Sequence, residues 1–178
     1  MSSKSNIIFK GLYIVAWIIF VGLCIEAGGL IVNFIFTIYN PEFIPNLYQK
    51  LDLSEMYNRS EWAFFIIYSL ILVIAVLKAC LFYIVIRLMH RFDFTKPFNR
   101  FVSKRITEIS YYTFSIGILS YTARQIAENI HHKGFATDKL NEFFSDSQAF
   151  ILMAAVIYII ANIFKRGIEL QTENDLTI

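Results

Sequence analysis

Cysteine, proline, glycine and charged residues are all scarce in this 178-residue chain, and each shortage excludes a class of protein. Two cysteines are too few for a disulfide scaffold, and three prolines with seven glycines exclude a collagen-like repeat and a disordered low-complexity chain. Charged residues make up only 17%, whereas 57% are apolar, against about 45–50% in an ordinary soluble domain. A soluble globule of this size has too little interior to hide so much apolar surface. The composition therefore predicts an integral membrane protein with room for one small helical bundle.

Four stretches are candidates for membrane spans, each of which needs about 20 mostly apolar residues. The expected spans are 7–39, 62–89, 104–127 and 148–165, followed by a cytosolic tail over 166–178. The third is the weakest, because Glu108, Arg124 and many hydroxyls interrupt it, and a helix on the membrane surface is the alternative. An odd number of spans would place the two basic ends of the chain on opposite sides of the membrane, which favours four. The predicted fold is all-α, a four-helix transmembrane bundle that forms a single domain over residues 1–178.

Lysine and arginine in the short loops predict the orientation of this bundle. Residues 87–105, between the second and third spans, hold six basic side chains and one acidic one. Residues 40–61 and 128–146 each carry two basic and four acidic side chains. Further basic residues lie near both termini, at Lys4, Lys10, Lys165 and Arg166. Both termini and the middle loop are therefore expected on the cytosolic side, with the two longer loops outside.

Two opposite charges inside the predicted spans suggest a helix contact. Glu26 lies 16 residues beyond Lys10 and Arg124 lies 19 residues beyond Arg105, which places them at similar depth. Each belongs to a stripe of small and polar residues, and such stripes allow close helix approach. The stripes are Gly22, Glu26, Gly29 and Asn33 on the first helix, and Ser110, Thr113, Gly117, Ser120, Arg124, Glu128 and His131 on the third. We predict that these helices pack together through a Glu26–Arg124 ion pair; Glu128, one turn from Arg124, is the competing partner.

Ionisable residues inside a membrane cost about 2.5–3.5 kcal/mol each on insertion scales, so they are expected to have partners. Lys78 is expected either to extend towards the cytosol or to pair with Glu108. The intramembrane polar contacts predicted as a set are Glu26, Asn33, Lys78, Glu108, Arg124 and Glu128. Bundle-internal stabilisation is the favoured role, because the acid Glu26 and the two bases Lys78 and Arg124 do not form a continuous ion or proton path.

The chain carries no nucleotide-binding, hydrolase or metalloprotease motif. Its histidines are unsuited to a cofactor: His90 is placed at the cytosolic margin, and His131 and His132 at the opposite one. Adjacent histidines point in different directions on a helix, so a metal site with Glu128 is not favoured. We expect no enzyme activity, no cofactor, no metal and no direct nucleic-acid binding.

The C-terminal tail resembles that of a known family. Its last residues, Glu173-Asn-Asp-Leu-Thr-Ile178, and the Pro97-Phe98 step after the second span are similar to the YoaS-like family of small bacterial membrane proteins, a domain of unknown function. The resemblance implies a four-span protein of the bacterial cytoplasmic membrane. It also implies a partnership with small cytosolic helix-turn-helix transcription regulators.

Two roles for the tail remain open at the level of sequence. The acidic and apolar tail residues Glu169, Glu173, Asn174, Asp175 and Leu176 suit docking of a basic partner. Alternatively, the acidic ones fold back onto Arg91, Arg100 or Arg105. The expected function is that of a non-catalytic membrane partner in regulation or sensing, in contact with the bilayer and with a second copy of the chain as a further partner. A small transporter or channel subunit, or an immunity protein against a membrane-active toxin, is the alternative.

Overall fold

In a computed structural model, the chain is described over residues 3–40, 42, 53–95, 97–132, 134–135, 140–144 and 146–175. Regular structure in these residues is helical. The helices are α1 (Ser3–Tyr39), α2 (Ser54–Arg59), α3 (Glu61–His90), α4 (Arg100–His132), α5 (Asn141–Phe144) and α6 (Ser147–Asp175). Four of them are long, and α2 and α5 are short helices within the two longer connections.

Polar side chains define where two of the long helices begin. The Ser60 hydroxyl accepts a hydrogen bond from the backbone N–H of Ala63 at 3.4 Å, at the start of α3. The Asn99 side-chain oxygen accepts from the N–H of Val102 at 2.9 Å, at the start of α4. Such caps satisfy backbone donors that have no partner inside the helix. Pro97 precedes the second cap, where a missing N–H is tolerated.

The long helices pack in chain order as an antiparallel row: α1 on α3, α3 on α4, and α4 on α6. Consequently α1 and α6 lie at the edges, and α3 and α4 lie in the middle. The first turns of α1 meet the loop after α3, where the Phe9 and Phe92 ring centroids are 5.8 Å apart. Phe98, just before α4, meets Phe164 near the end of α6 at 5.2 Å. The N-terminus of α1 and the C-terminus of α6 thus share one end of the molecule with the basic loop, which we call the terminal end.

The opposite, distal end contains the best-packed core. Its fully buried side chains belong to α3 and to both connections, and include Phe64, Tyr68, Leu140 and Phe144. Tyr68 also donates its hydroxyl to the Leu30 carbonyl oxygen at 2.9 Å, which joins α3 to α1. The two connections therefore fold onto the helices as part of the core.

Three helices are long and apolar enough to cross a membrane: Ile7–Tyr39, Glu61–His90 and Ser147–Glu173. They correspond to the first, second and fourth predicted spans. The third predicted span lies inside α4, which is continuous but more polar. The fourth differs from prediction at its C-terminal end, because α6 runs to Asp175 without a break at the expected tail boundary. Gly167, near that boundary, is inside the helix.

Candidate functional site

Antiparallel contacts between α1 and α3 place Glu26 opposite Lys78. Phe20 lies against Tyr83, with ring centroids 6.1 Å apart, and Phe34 stacks on Tyr68 at 5.2 Å. Interpolating between these contacts puts Glu26 level with position 77 of α3. Glu26 and Lys78 accordingly line the same cavity, about 10 Å³ in volume, which is at the lower limit for one water molecule.

The cavity is enclosed by apolar side chains from α3 and from the connection that contains α5. Ile71, Ile74, Ala75, Phe143 and Phe144 complete its lining. Glu26 and Lys78 form no direct ion pair within 4.0 Å in the described part of the chain. The Lys78 ammonium also lies 6.0 Å from the centroid of the Phe150 ring, the outer limit for a cation–π interaction. Depth counting along the sequence did not identify this acid–base pair.

The predicted Glu26–Arg124 ion pair is wrong. Arg124 Nε donates to Glu128 Oε1 at 2.9 Å, so the competing partner on its own helix is the actual one. The two side chains are 43% and 45% exposed, which makes this a largely solvated pair of modest strength. Gln125 adds a weak contact to the same carboxylate at 3.5 Å.

The error arose because the two depths were counted from unequal starting points. Phe9 meets Phe92, and the Arg91 guanidinium lies 5.6 Å from the Phe101 ring, so Lys10 is level with the start of α4 rather than with Arg105. On this register Glu26 lies level with about residue 116 of α4. Arg124 is about eight residues further along, or about 12 Å at 1.5 Å per residue.

The other predicted polar contacts also have different partners. Glu108 accepts a hydrogen bond from the Arg105 guanidinium, three residues earlier on α4, instead of pairing with Lys78. Asn33 is half-buried on α1, and its carbonyl oxygen accepts from the Thr37 hydroxyl at 2.9 Å. Both contacts stay within one helix.

The small-residue stripe of α4 makes the expected close approach, but to α6. Ser110 donates its hydroxyl to the Ala154 carbonyl oxygen at 3.0 Å. A Cβ atom added at Gly117 would lie 2.7 Å from Ile151 Cγ1 and 3.2 Å from the Ser147 carbonyl oxygen. On α1, by contrast, a Cβ added at Gly22 would meet nothing within 4 Å. Among the described residues, the first helix therefore has no neighbour in contact with Gly22.

Several basic side chains lie at the terminal end, and two of them contact the same aromatic ring. The Arg91 and Arg105 guanidinium carbons lie 5.6 Å and 5.4 Å from the centroid of the same Phe101 ring. Beside this cluster a cavity of about 520 Å³, here called the α4–α6 groove, separates the first turns of α4 from the last turns of α6. Its lining residues are Arg100, Ser103, Lys104, Lys165, Ile168, Glu169, Thr172 and Glu173.

The groove shows where two of the predicted tail residues lie. Glu169 and Glu173 line it with Arg100, as the fold-back alternative expected, but Glu169 bonds to Arg166 on its own helix at 3.3 Å. The side chains of Asn174 and Asp175, and all of Leu176, lie outside the described residues. Leu170, on another face of α6, is 60% exposed.

The histidines and cysteines lie outside the linings of the cavity and of the α4–α6 groove. His131 and His132 lie at the end of α4, with ring centroids 6.4 Å apart. Within the described residues no three histidine, cysteine, aspartate or glutamate side chains are grouped closely enough to hold a metal ion. Cys24 and Cys80 are both free thiols.

Comparison with known proteins gives one match. The family model DUF2975, described as a protein of unknown function, matches residues 47–178, a range that includes α3, α4, α6 and the α4–α6 groove. No curated protein and no solved structure matches the chain. The narrower resemblance to YoaS-like proteins stays a prediction. Because the match covers most of the sequence, the chain belongs to the DUF2975 family of proteins of unknown function.

Proposed function

We propose that this chain is a four-span protein of the bacterial cytoplasmic membrane, with both termini in the cytosol, that binds a cytosolic protein and catalyses no reaction. The partner class is a small helix-turn-helix transcription regulator, as the family resemblance implies. The observation that carries the proposal is the end of α6, Gly167–Glu173, which we call the α6 extension. It continues the span as a helix and exposes Leu170 next to acidic side chains.

The chemistry of the α6 extension suits a basic protein surface. Leu170 supplies an exposed apolar anchor, and Glu173 supplies negative charge within one turn of it, while the Glu169 carboxylate is paired with Arg166. Charge complementarity accelerates encounter, while a buried apolar side chain contributes most of the affinity. Regulators that bind DNA carry positive charge, which is the sign this surface requires.

The third predicted span, inside α4, is supported as a membrane span by the position of α4 between α3 and α6. Four of its charged side chains pair within the helix, Arg105 with Glu108 and Arg124 with Glu128, which lowers the cost of placing them in a membrane. Alkaline phosphatase fused after Thr95 should be inactive and the same enzyme fused after Phe135 should be active. If both fusions are inactive, α4 lies on the cytosolic surface and the four-span proposal fails.

Partner binding is tested by mild crosslinking in native membranes, affinity purification and identification of the bound proteins. Leu170→Gln removes the apolar anchor without changing charge, and Gln171→Ala alters the next exposed residue as a matched control. We expect the wild-type chain and Gln171→Ala to retain a cytosolic DNA-binding protein that Leu170→Gln loses. Equal recovery with all three chains, or recovery with none, would contradict the proposal.

The transporter alternative draws support from Glu26 and Lys78, an acid and a base that line one intramembrane cavity. At about 10 Å³ this cavity has the size of a single water site rather than a path. A conducting path would therefore need more than one copy of the chain. Ion flux into vesicles that is abolished by Glu26→Gln would favour this alternative.

A further inference from the structure

The α4–α6 groove brings together cations from two different helices. Arg100 and Lys104 lie one turn apart on α4, and Lys165 faces them from α6. All three side chains belong to exposed residues. In the described part of the chain, none of them has a carboxylate within the 4.0 Å of an ion pair. The groove therefore presents three positive charges that the neighbouring helices do not neutralise directly.

The two carboxylates of the groove lining, Glu169 and Glu173, offset this charge only in part, since three cations face them. Glu169 is engaged by Arg166, whose guanidinium Nη1 lies 3.3 Å from Glu169 Oε2. Arg166 is outside the groove lining, so that pair draws one carboxylate towards another face of α6. Ser103, half-buried on the groove wall, adds a hydroxyl donor. Cations together with a hydroxyl are the usual protein ligands of a phosphate group.

The position of the groove indicates where the phosphate comes from. Two turns deeper, α4 and α6 expose Tyr111 and Tyr158, whose ring centroids are 6.4 Å apart. Tyrosines at this depth are typical of the boundary between headgroups and hydrocarbon. Beyond Tyr158, α6 exposes apolar side chains such as Val156 and Leu152. A molecule with a phosphate at one end and long apolar chains at the other matches this order of surfaces.

We propose that the α4–α6 groove binds the phosphodiester headgroup of an anionic phospholipid, with Arg100, Lys104 and Lys165 facing the phosphate. Basic clefts between membrane helices on the cytosolic side are suited to such headgroups. The groove, at about 520 Å³, accommodates the phosphate and its glycerol, while the acyl chains lie along the tyrosine-lined surface. The assignment to the cytosolic leaflet rests on the orientation proposed above; the binding site itself does not depend on the cytosolic partner.

The test uses the purified full-length protein in a neutral detergent, with no cytosolic partner present. Native mass spectrometry measures bound phosphatidylglycerol against bound phosphatidylethanolamine over a range of lipid concentrations. Lys104→Gln with Lys165→Gln removes two groove charges. Lys10→Gln with Arg87→Gln removes two exposed charges at the same end but outside the groove, and is the matched control. Circular dichroism confirms that each variant is helical.

We expect the groove variant to bind phosphatidylglycerol about tenfold or more weakly, since each basic residue near a headgroup contributes about a fivefold factor in affinity. The control variant should change affinity less than about twofold at physiological salt, because screening limits distant charges. Equal losses in both variants would show diffuse attraction and overturn the proposal. Competition by soluble glycerol phosphate at the same concentrations would assign the groove to a free phosphate compound, which also overturns it.

A second pair of variants keeps the proposal testable if the glutamine variant unfolds. Lys104→Arg with Lys165→Arg retains both charges and should retain selective binding of phosphatidylglycerol. Ser103→Ala removes the hydroxyl donor alone and should lower affinity about twofold to fivefold. Loss of lipid selectivity with the arginine pair, or no change with Ser103→Ala and the glutamine pair alike, would contradict the assignment. Binding of the cytosolic partner through Leu170 is measured in a separate experiment. A negative result for lipid binding therefore does not contradict the proposed partner, and a negative result for the partner does not contradict lipid binding.

Discussion

Helix α1 exposes its apolar side chains and helix α4 buries its hydroxyl groups, whereas the helices of a soluble protein bury apolar side chains and expose polar ones. Only 17% of the most apolar stretch of α1 is buried, and side chains such as Ile18 are mostly exposed. In α4 it is the hydroxyl residues that are buried, with Ser110, Thr113 and Ser120 at 3%, 1% and 3% exposure. Because lipid tails are as apolar as leucine, exposed apolar side chains carry no penalty in a membrane. Close helix contacts there depend on small residues and on hydrogen bonds instead.

The same comparison explains why α4 is in the middle of the row and α1 at its edge. Ser110 finds a backbone acceptor on α6, and Gly117 allows the two backbones to approach closely. Gly22 of α1 has open space around it. A glycine in a stripe of small and polar residues thus allows close packing only where a second helix lies against it, as at Gly117 but not at Gly22.

The largest expected effect on stability is that of a charge reversal at Glu26 of α1. Glu26→Lys would place two ammonium groups around one small cavity, and we expect a loss of about 2–3 kcal/mol of unfolding free energy, below the usual cost of breaking a fully buried pair. Titration with sodium dodecyl sulfate in mixed micelles, followed by circular dichroism, measures it. Adding Lys78→Glu should restore most of the loss, whereas adding Arg124→Glu should not. Rescue by Arg124→Glu alone would contradict the helix register described above.

Next in size is the close contact between α4 and α6. Gly117→Val should destabilise the protein by about 1–3 kcal/mol, because the new side chain overlaps Ile151 and the α6 backbone. The matched change Gly22→Val on α1 should alter stability by less than about 0.5 kcal/mol. The same titration compares them. Similar losses for the two valines would mean that α1 has a packing neighbour where the structure has open space.

A smaller effect is expected at the hydrogen bond between α4 and α6. Ser110→Ala removes the donor to the Ala154 carbonyl oxygen and should cost about 0.6 kcal/mol, a typical value between membrane helices. Ser115→Ala is the control, because the Ser115 hydroxyl is exposed and bonds to the Tyr111 carbonyl oxygen of its own helix. If Ser115→Ala lowers the free energy of unfolding as much as Ser110→Ala does, the hydrogen bond between α4 and α6 contributes no more to stability than a hydrogen bond within one helix.

The smallest expected effect concerns Arg124 and Glu128. A double-mutant cycle with alanine at both positions should give a coupling of about 0.3–0.5 kcal/mol, as for exposed pairs one helical turn apart. The corresponding cycle for Arg124 and Glu26 should give none. A coupling above about 1 kcal/mol for Arg124 and Glu26 would revive the ion pair predicted from sequence.

Some features of the fold could be predicted from local pattern because they depend on few neighbours. Apolar length placed the first and second long helices and the start of α6 within a few residues of their observed limits, whereas the end of α6, predicted at 165, lies at Asp175. Leu140 and Phe144 in the last connection are fully buried, although the helix there is only Asn141–Phe144. Their burial depends on α3 and α4, which the local sequence does not reveal.

The candidate site was harder to predict than the helices. The stripe through Ser110 and Gly117 correctly indicated a close helix contact, but a stripe does not identify its partner. Glu26 and Lys78 were both singled out for their charge, yet their shared cavity depends on the register between α1 and α3. Estimating the depth of a residue by counting from the nearest basic residue gives a register that is wrong by several residues, since the basic residues of the two helices do not lie at the same depth.

By itself the sequence determined that the chain is helical and has helices long and apolar enough to cross a membrane, because composition and apolar length act locally and require no knowledge of neighbours. The basic character of one end follows in the same way from the positions of lysine and arginine. Only the tertiary structure decided that α4 packs on α6 rather than on α1, that Glu26 lies near Lys78, and that Arg100, Lys104 and Lys165 share a groove. These are properties of antiparallel register, and a shift of about one helical turn, about 5 Å, changes every partner across an interface while leaving each helix unchanged.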